Sequence, residues 1–266
     1  MKIRILMLSI IGLIFFNSCS SDNNSSNSTS QNLNPNTILP KKIIRQSELG
    51  GFGFGLSISY EFYYNQNKLD HIHCFLFNNG YILDEFDFNY TYNGNLISGI
   101  NVIDNSGVVI HKTEFSYLNN KLINKKITIY GPLNSIFDYT ECNYAYNSSN
   151  DIITRNLTRT FDGNTTTTTD TFTIENNLIF KNNAGGNYTF TSSPFKNIIG
   201  IKDAFIEGGL EFNPNNWVDI FFSTTKNLIS TEGGNYVYIY NDIEFPTSLF
   251  IDIDSSDSTI FQIFYQ

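Results

Sequence analysis

The sequence predicts an all-β fold: an antiparallel meander of about a dozen strands, curled or closed into a barrel-like sheet, with a short helical insertion. Three observations predict it. Aromatic residues are abundant, with 24 Phe and 16 Tyr, and they alternate with polar residues at the period of a strand. Asn- and Gly-rich pairs follow these aromatic runs, as tight hairpin turns require. The same two-strand unit then recurs along the chain.

The repeated hairpin begins near residue 56. Equivalent positions lie 25–29 residues apart, at Tyr64, Tyr92, Tyr117, Tyr146 and Ile174. A second strand follows in each unit, for example over Leu69–Phe77, Leu96–Ile103 and Leu122–Tyr130. The chain then turns into the next unit at Asn79-Gly80, Ser106-Gly107 and Gly131-Pro132. Strands joined in sequence by short turns form an antiparallel meander.

A helical insertion is predicted near residues 194–206. Its apolar residues have helical spacing, Ser193 is placed as a cap, and Pro194 lies in the first turn. We expect this segment to plug one end of the curled sheet. A second short helix is predicted over Asn216–Phe222. Strands resume at Tyr236–Tyr240, Thr247–Ile253 and Thr259–Tyr265.

The first forty residues have the composition of an export signal and a tether. A short basic region precedes an apolar run from Ile5 to Phe16, which is too short to span a bilayer as a stable helix. Residues 1–18 are therefore predicted to be a signal peptide. Residues 19–40 hold few large apolar groups and are predicted to form a disordered tether. Residues 41–266 remain for a single β-meander domain.

Cys19, in the run Asn-Ser-Cys-Ser, resembles the lipid-modified cysteine of bacterial lipoproteins. Phe16 and Asn17 depart from the usual residues before that cysteine. The resemblance implies a diacylglyceryl thioether and an N-acyl chain on Cys19, which make a membrane the first partner. It places the domain at the outer membrane, on the cell surface or on the periplasmic face. The alternative is an ordinary signal peptide in which Cys19 is incidental.

The Tyr-x-Tyr-Asn/Asp-x-Asn/Gly-x-Leu core of the unit resembles the tyrosine–aspartate repeats of the Rhs type, which build long meandering sheets. The whole arrangement, over roughly residues 56–266, resembles the uncharacterised Bacteroidota lipoproteins grouped as DUF4595. That family implies a porin-like β-meander and carries no established activity. Asn replaces the usual Asp in this chain, and Ile174 replaces a Tyr.

Composition and motifs argue against several classes of function. The net charge is −9 and no basic cluster is present, so nucleic acid is not an expected partner. The chain has no nucleophile elbow, zinc-protease motif or phosphate-binding loop, and neither an enzymatic activity nor a cofactor is predicted. Cys74 and Cys142 could form a disulfide in an oxidising compartment, although buried, unpaired thiols are the simpler expectation.

Two groups of side chains suggest chemistry and have simpler explanations. His71 and His73 lie on one face of a predicted strand, about 6–7 Å apart, where a nearby carboxylate could complete a zinc site. Two acidic clusters could supply the carboxylates of a glycosidase; they are Asp84, Glu85 and Asp87, and Asp252, Asp254 and Asp257. The second cluster could also bind calcium. A polar strand face and solvated turn charges are the favoured interpretations, and no metal is predicted.

The predicted function is non-enzymatic: a tethered β-domain that binds or scaffolds at the outer membrane. Exposed Tyr and Asn on a broad sheet suit carbohydrate, through ring stacking and amide hydrogen bonds. The same residues also serve as ordinary cross-strand pairs. A glycan or an envelope protein is therefore the expected further partner. The alternatives are an enzyme acting on cell-surface glycan or peptide, and an envelope-assembly component that pairs through a sheet edge.

Overall fold

One antiparallel sheet of sixteen strands dominates the described part of the computed structural model. The structure describes residues 37–48, 56–175, 178–181, 187–189, 193–205, 210–211, 219–220, 227–231, 234–253 and 257–266. All of them fall in one compact unit, 34–266. The predicted signal peptide, Cys19 and residues 20–36 of the tether lie outside the described residues, so these remain predictions.

The strands and one short α-helix follow the chain in this order: β1 (Pro40–Glu48), β2 (Leu56–Asn65), β3 (Lys68–Asn78), β4 (Tyr81–Asn93), β5 (Leu96–Asp104), β6 (Val109–Leu118), β7 (Lys121–Tyr130), β8 (Ile136–Tyr146), β9 (Ile152–Phe161), β10 (Asn164–Glu175), β11 (Leu178–Lys181), β12 (Asn187–Thr189), α1 (Ile201–Ala204), β13 (Leu210–Glu211), β14 (Asp219–Ile220), β15 (Asn227–Thr231), β16 (Gly234–Tyr240), β17 (Pro246–Ile253) and β18 (Asp257–Tyr265). A 3₁₀ turn, Pro132–Asn134, joins β7 to β8.

The meander is confirmed, and the sheet is open rather than closed. From β11 back to β1 the strands pair in sequence order; β1 then pairs with β18, and the sheet continues through β17, β16 and β15 to β12. Strands β11 and β12 are its two ends, and no pairing joins them among the described residues. The strand count exceeds the predicted dozen, partly because several strands after β10 are very short. Strands β13 and β14 form a separate small sheet.

Tight turns connect the strands as their residues predict. Asn79 and Gly80 have φ of 51° and 80°, and Asn119 and Asn120 have φ of 51° and 62°. These left-handed conformations match the right-handed twist of the flanking strands, and Asn and Gly adopt them at low cost. The predicted second strands are each confirmed to within one residue at either end.

Each of the first three hairpins has a bulge just after its turn. The register slips by one residue after the Tyr64–Leu69, Tyr92–Ile97 and Tyr117–Leu122 pairs. One residue of the second strand is therefore unpaired, and side chains beyond it change face. As a result, the equivalent inward positions three residues after Leu69, Ile97 and Leu122 are Ile72, Ile100 and Lys125.

One face of the sheet forms the apolar core. Along β2 to β8 most inward side chains are aliphatic or aromatic, and Tyr60, Leu69, Ile72, Ile97 and Leu122 are almost completely buried. The opposite face carries charged and polar rows. Lys42, for example, donates to Glu61 across β1 and β2 at 2.9 Å. Burial of the inner face is the main stabilising term for a sheet of this kind.

The predicted helical insertion is present as a plug but is far less helical than expected. Residues 193–200 form turns, and the α-helix is confined to Ile201–Ala204. The Ser193 hydroxyl accepts a hydrogen bond from the Phe195 amide at 3.2 Å, as a cap does. Gly200 has φ of 80°, which interrupts the predicted helix. Among the described residues, no helix has the length and apolarity needed to cross a membrane.

The plug packs inside the sheet near the turns after β2 and β4. Phe195 and Ile201 are completely buried, and the Ile199 amide donates to the Asn67 carbonyl at 2.9 Å. The second predicted helix, Asn216–Phe222, is wrong where it can be checked. Asp219 and Ile220 form β14, because they pair with β13. Residues 216–218 and 221–222 lie outside the described residues.

The repeated tyrosines fasten each hairpin to the preceding one. The hydroxyls of Tyr64, Tyr117 and Tyr146 donate to the carbonyls of Pro40, Ile97 and Leu122, which lie 24, 20 and 24 residues earlier. Tyr92 accepts from the Leu69 amide, 23 residues earlier. The ring thus packs on the core while the hydroxyl satisfies a backbone group at the turn. We call this contact the tyrosine clasp.

Removing one clasp hydroxyl should weaken the domain modestly. We expect Tyr117→Phe to lower the free energy of unfolding by about 1 kcal/mol, because the Ile97 carbonyl loses its partner at a half-buried site. Urea denaturation measures this directly. Tyr63→Phe is the matched control, since Tyr63 is exposed and bonds only Glu61 on the outer face. An equal loss in both variants would show that the clasp contributes nothing specific.

Candidate functional site

A cavity of about 270 Å³ lies on the inner face of the sheet over β4 to β9. Its apolar wall comes mainly from β4 and β5, with Phe205 beyond α1. Its polar wall comes from β6 to β9. The side chains that line it are Phe88, Tyr90, Ile100, Val102, His111, Thr113, Lys125, Ile127, Ile129, Asp138, Thr140, Cys142, Arg155, Leu157, Arg159 and Phe205.

Strand register brings the polar residues together from distant parts of the sequence. One row across the sheet joins His111, Ile129 and Asp138, and the next joins Thr113, Ile127 and Thr140 to Arg159. Lys125 faces inward because the bulge after Leu122 changes the face of the following residues. Lys125 thus occupies the position that Ile72 and Ile100 hold in the preceding units. A lysine in this otherwise apolar position marks a local departure from simple core packing.

Two ion pairs organise the polar wall. Arg159 donates to both carboxylate oxygens of Asp138, with Nε at 2.9 Å from Oδ2 and 3.1 Å from Oδ1. The Asp138 side chain is only 6% exposed, whereas that of Arg159 is 49% exposed. Arg155 pairs with Asp170 on the neighbouring strand and lies over the Phe172 ring. Such pairing fixes the orientation of the side chains more than it stabilises the fold.

His111 is a neutral imidazole at pH 7. Burial lowers its pKa from 6.5 to about 4; nearby Asp138 opposes the shift and Lys125 adds to it. Its Nε2 lies 3.0 Å from the hydroxyl of Thr113. A histidine with so low a pKa is a weak base at neutral pH. The polar wall therefore offers hydrogen bonds and fixed charges rather than a proton acceptor tuned for catalysis.

The arrangement suits an amphipathic ligand. Phe88, Val102 and Phe205 offer apolar surface, and the polar groups of β6 to β9 lie across the cavity from β4. Small-molecule sites combine these two features, with an apolar lining and a few polar groups that set orientation. The cavity is large enough for a small molecule or for part of a longer one.

Of the predicted candidates, His73 lies beside carboxylates on the outer face. Its Nδ1 is 2.6 Å from Asp87 Oδ1, and its Nε2 is 3.7 Å from Glu85 Oε2. His71 instead contacts Asp70 at 2.8 Å and stacks on Tyr63. The described residues contain no group of three or more ligands arranged to hold a metal. His71 and His73 thus contact different carboxylates.

The carboxylates of the two acidic clusters are not brought into the cavity. Asp84 lies on the opposite face of β4 from Glu85 and Asp87, as its register with Leu76 and the strand alternation require. Asp252 and Asp257 lie in β17 and β18, and Asp254 is outside the described residues. Sequence spacing alone had grouped side chains that point to different faces.

Cys74 and Cys142 are both buried, and neither forms a disulfide. Burial, with a smaller contribution from Asp84, raises the pKa of the Cys74 thiol to about 12. The Cys74 thiol thus behaves as an inert small apolar group. Most repeat tyrosines are held in the clasp, so the broad tyrosine surface expected for carbohydrate is reduced to side chains such as Tyr63 and Tyr81.

Comparison with known proteins adds little beyond architecture. No family model matches the chain, and no curated protein matches it. One similar solved structure is a porin-like protein from Bacteroides uniformis, with a TM-score of 0.43 and 11% sequence identity. The match covers 85% of this chain and 98% of that one. A likeness at this level assigns neither a family nor a function.

Proposed function

We propose that the chain is a lipoprotein anchored in the outer membrane through Cys19, and that its β-domain binds an amphipathic small molecule in the cavity without catalysis. The cavity carries this proposal, since the burial of Asp138 and Lys125 costs desolvation free energy that a polar group of a bound ligand would help to offset. The resemblance of the N-terminus to lipoproteins and of the hairpins to the DUF4595 group supports the anchored location.

The absence of catalysis is part of the proposal. Asp138 is engaged by Arg159, and Asp170 by Arg155, which makes these carboxylates ion-pair partners. A carboxylate whose oxygens already accept hydrogen bonds from a guanidinium has less freedom to act on a substrate. His111 has too low a pKa to act as an efficient base there. A glycan or peptide hydrolase would need a carboxylate released from its arginine, or a histidine with a pKa nearer neutrality.

Filling the cavity tests the binding site. The probe is 1-anilinonaphthalene-8-sulfonate, whose rings and sulfonate match the two walls, and its fluorescence reports binding to the folded protein. We expect Thr140→Phe, which adds a ring inside the cavity, to weaken dye binding about tenfold, or about 1.4 kcal/mol. Thr160→Phe is the control, because Thr160 pairs with Tyr139 on the outer face. Equal affinity in both variants would remove the cavity from the proposal.

Loss of Cys19 tests the anchor. We expect Cys19→Ala to abolish incorporation of radiolabelled palmitate and to move the protein from the membrane fraction to the soluble fraction, because residue 19 then has no thiol to carry the diacylglyceryl group. Cys74→Ala and Cys142→Ala should leave labelling unchanged, since both thiols are buried. Palmitate incorporation into Cys19→Ala would show that Cys19 is not the lipidated residue.

A further inference from the structure

Four successive hairpin ends carry exposed apolar side chains at the same end of the sheet. In an antiparallel meander, the turns after β3, β5, β7 and β9 lie together at one end, and those after β2, β4, β6 and β8 lie at the other. We call the first group the apolar rim, formed by Tyr81, Ile82, Leu83, Val108, Leu133, Ile136, Phe137 and Phe161.

The rim is unusually exposed for apolar residues. Tyr81 is 79% exposed, Ile136 65% and Leu133 101%. Leu133 also has φ of 59°, a conformation that costs a non-glycine residue about 1 kcal/mol or more. The rings of Phe137 and Phe161 meet edge to face, with centroids 5.0 Å apart, and still expose about half of their surface. Extended apolar surface of this kind marks an interaction site.

The turns at the opposite end of the sheet are polar, and the exposed apolar side chains that directly flank them are fewer, namely Leu118 at 61% exposed and Ile152 at 38%. These turns are Gln66-Asn67, Gly94-Asn95, Asn119-Asn120 and residues 147–151, which are Asn, Ser, Ser, Asn and Asp. The chain also enters the domain there, because Tyr64, at the end of β2, donates to the carbonyl of Pro40 at 2.8 Å. The apolar and polar turns are thus segregated, with the tether on the polar side.

We propose that the apolar rim inserts into a lipid surface. The rim turns, residues 79–83, 105–108, 131–137 and 162–163, contain no Lys or Arg, and Asp162 is the one charged residue within these ranges. The adjoining charges are themselves engaged, since Asp104 caps its own turn and Arg159 pairs with Asp138 beside the Phe161 ring. A charge-complementary protein partner is therefore not favoured, whereas a bilayer accepts apolar tips of any shape. Tyr81 and Phe137 suit the boundary between headgroups and acyl chains. The driving force is apolar burial, so the contact does not depend on anionic lipid.

The tether is long enough for this contact. An extended chain spans at most about 3.3–3.6 Å per residue, so residues 19–36, which precede the buried Ile38 and Leu39, reach roughly 60 Å. The longest strand, β4, has 13 residues, or about 43 Å at 3.3 Å per residue. The rim can therefore touch the leaflet that holds the anchor. Only this reach rests on the proposed lipid anchor; the rim itself is a separate property of the domain.

Depth-dependent quenching tests the rim on the full-length, lipidated protein in phosphatidylcholine vesicles. A fluorophore is attached at Ser106→Cys on a rim turn, or at Ser148→Cys on a polar turn; both serines are exposed, and Cys74 and Cys142 are buried. We expect nitroxide-labelled lipid to quench the rim fluorophore at least twofold more than the other, equally at low and high salt. Equal quenching at the two positions would overturn the proposal.

A double variant separates lipid contact from folding. Leu133→Asn combined with Ile136→Ser removes apolar surface from the rim, and Asn accepts the positive φ of residue 133 better than Leu. We expect folding to be retained while quenching at Ser106→Cys falls toward the polar-turn value. If sedimentation shows dimers, and the fluorophore at Ser106→Cys is shielded only in those dimers, the rim contacts a second copy of the chain. That result would contradict insertion into a lipid surface. Dye binding in the cavity should be unchanged throughout, which distinguishes failure of the rim from failure of the binding function.

Discussion

Replacing Gly200 by Ala should destabilise the domain by about 3–5 kcal/mol in urea denaturation. A Cβ at this position would lie 2.6 Å from the Asn95 carbonyl oxygen and 3.1 Å from the Ile97 amide nitrogen. Both are backbone atoms of the β4–β5 hairpin, so the plug must move away from the sheet. The φ of 80° adds its own cost for a residue with a Cβ. The loss therefore combines backbone strain with disrupted packing.

Gly107→Ala measures the cost of backbone strain without the steric clash. Gly107 has φ of 81°, and a Cβ there would meet nothing within 4 Å. We expect this variant to lose only about 1 kcal/mol. The difference between the two variants measures how tightly the plug is fitted against the hairpin. Equal losses at the two glycines would contradict the packing of Gly200 against Asn95.

Lowering the pH from 6.5 to 4 should cost the folded state about 3 kcal/mol through His111. The pKa of His111 is about 4 in the folded protein and 6.5 when unperturbed. Between these values the unfolded chain binds a proton that the folded protein does not, so stability rises with pH and falls on acidification. Well below pH 4, His111 is protonated in both the folded and the unfolded chain, so further acidification costs no more stability through this residue.

The contribution of His111 can be separated from that of the carboxylates. His111→Gln keeps a polar side chain but removes the titration, so its free energy of unfolding should vary less between pH 4 and 6.5. The raised pKa of Asp203, caused by burial, acts in the opposite direction, because a protonated Asp203 is favoured in the folded state. Identical pH profiles for the wild type and His111→Gln would contradict a buried neutral imidazole.

The hairpin repeats could be predicted because their determinants are local. Asn79-Gly80 and Asn119-Asn120 specify tight turns, and the tyrosine pattern sets the face of each strand. The helix over 194–206 was mostly wrong for a reason beyond local sequence. Apolar spacing indicates which residues are buried, but the left-handed Gly200 is stabilised by its fit against Asn95, about a hundred residues away.

The candidate site depends on register, which spacing along one strand does not reveal. His71 and His73 attracted attention because they are neighbours in sequence, whereas His111, Asp138 and Arg159 meet across several strands. One signal was available. Alignment of the repeated units places Lys125 in the same position as Ile72 and Ile100, which identifies a lysine in an apolar row. The bulge after Leu122 then decides that this lysine faces the core.

The most direct test of binding in the cavity is native mass spectrometry of the full-length protein extracted from its own outer membrane in mild detergent. We expect a small-molecule adduct on the wild type and on Thr160→Phe, and its loss from Thr140→Phe, because only the last substitution fills the cavity. An adduct that persists in Thr140→Phe, or no adduct on any form, would contradict a ligand site between the sheet and its plug.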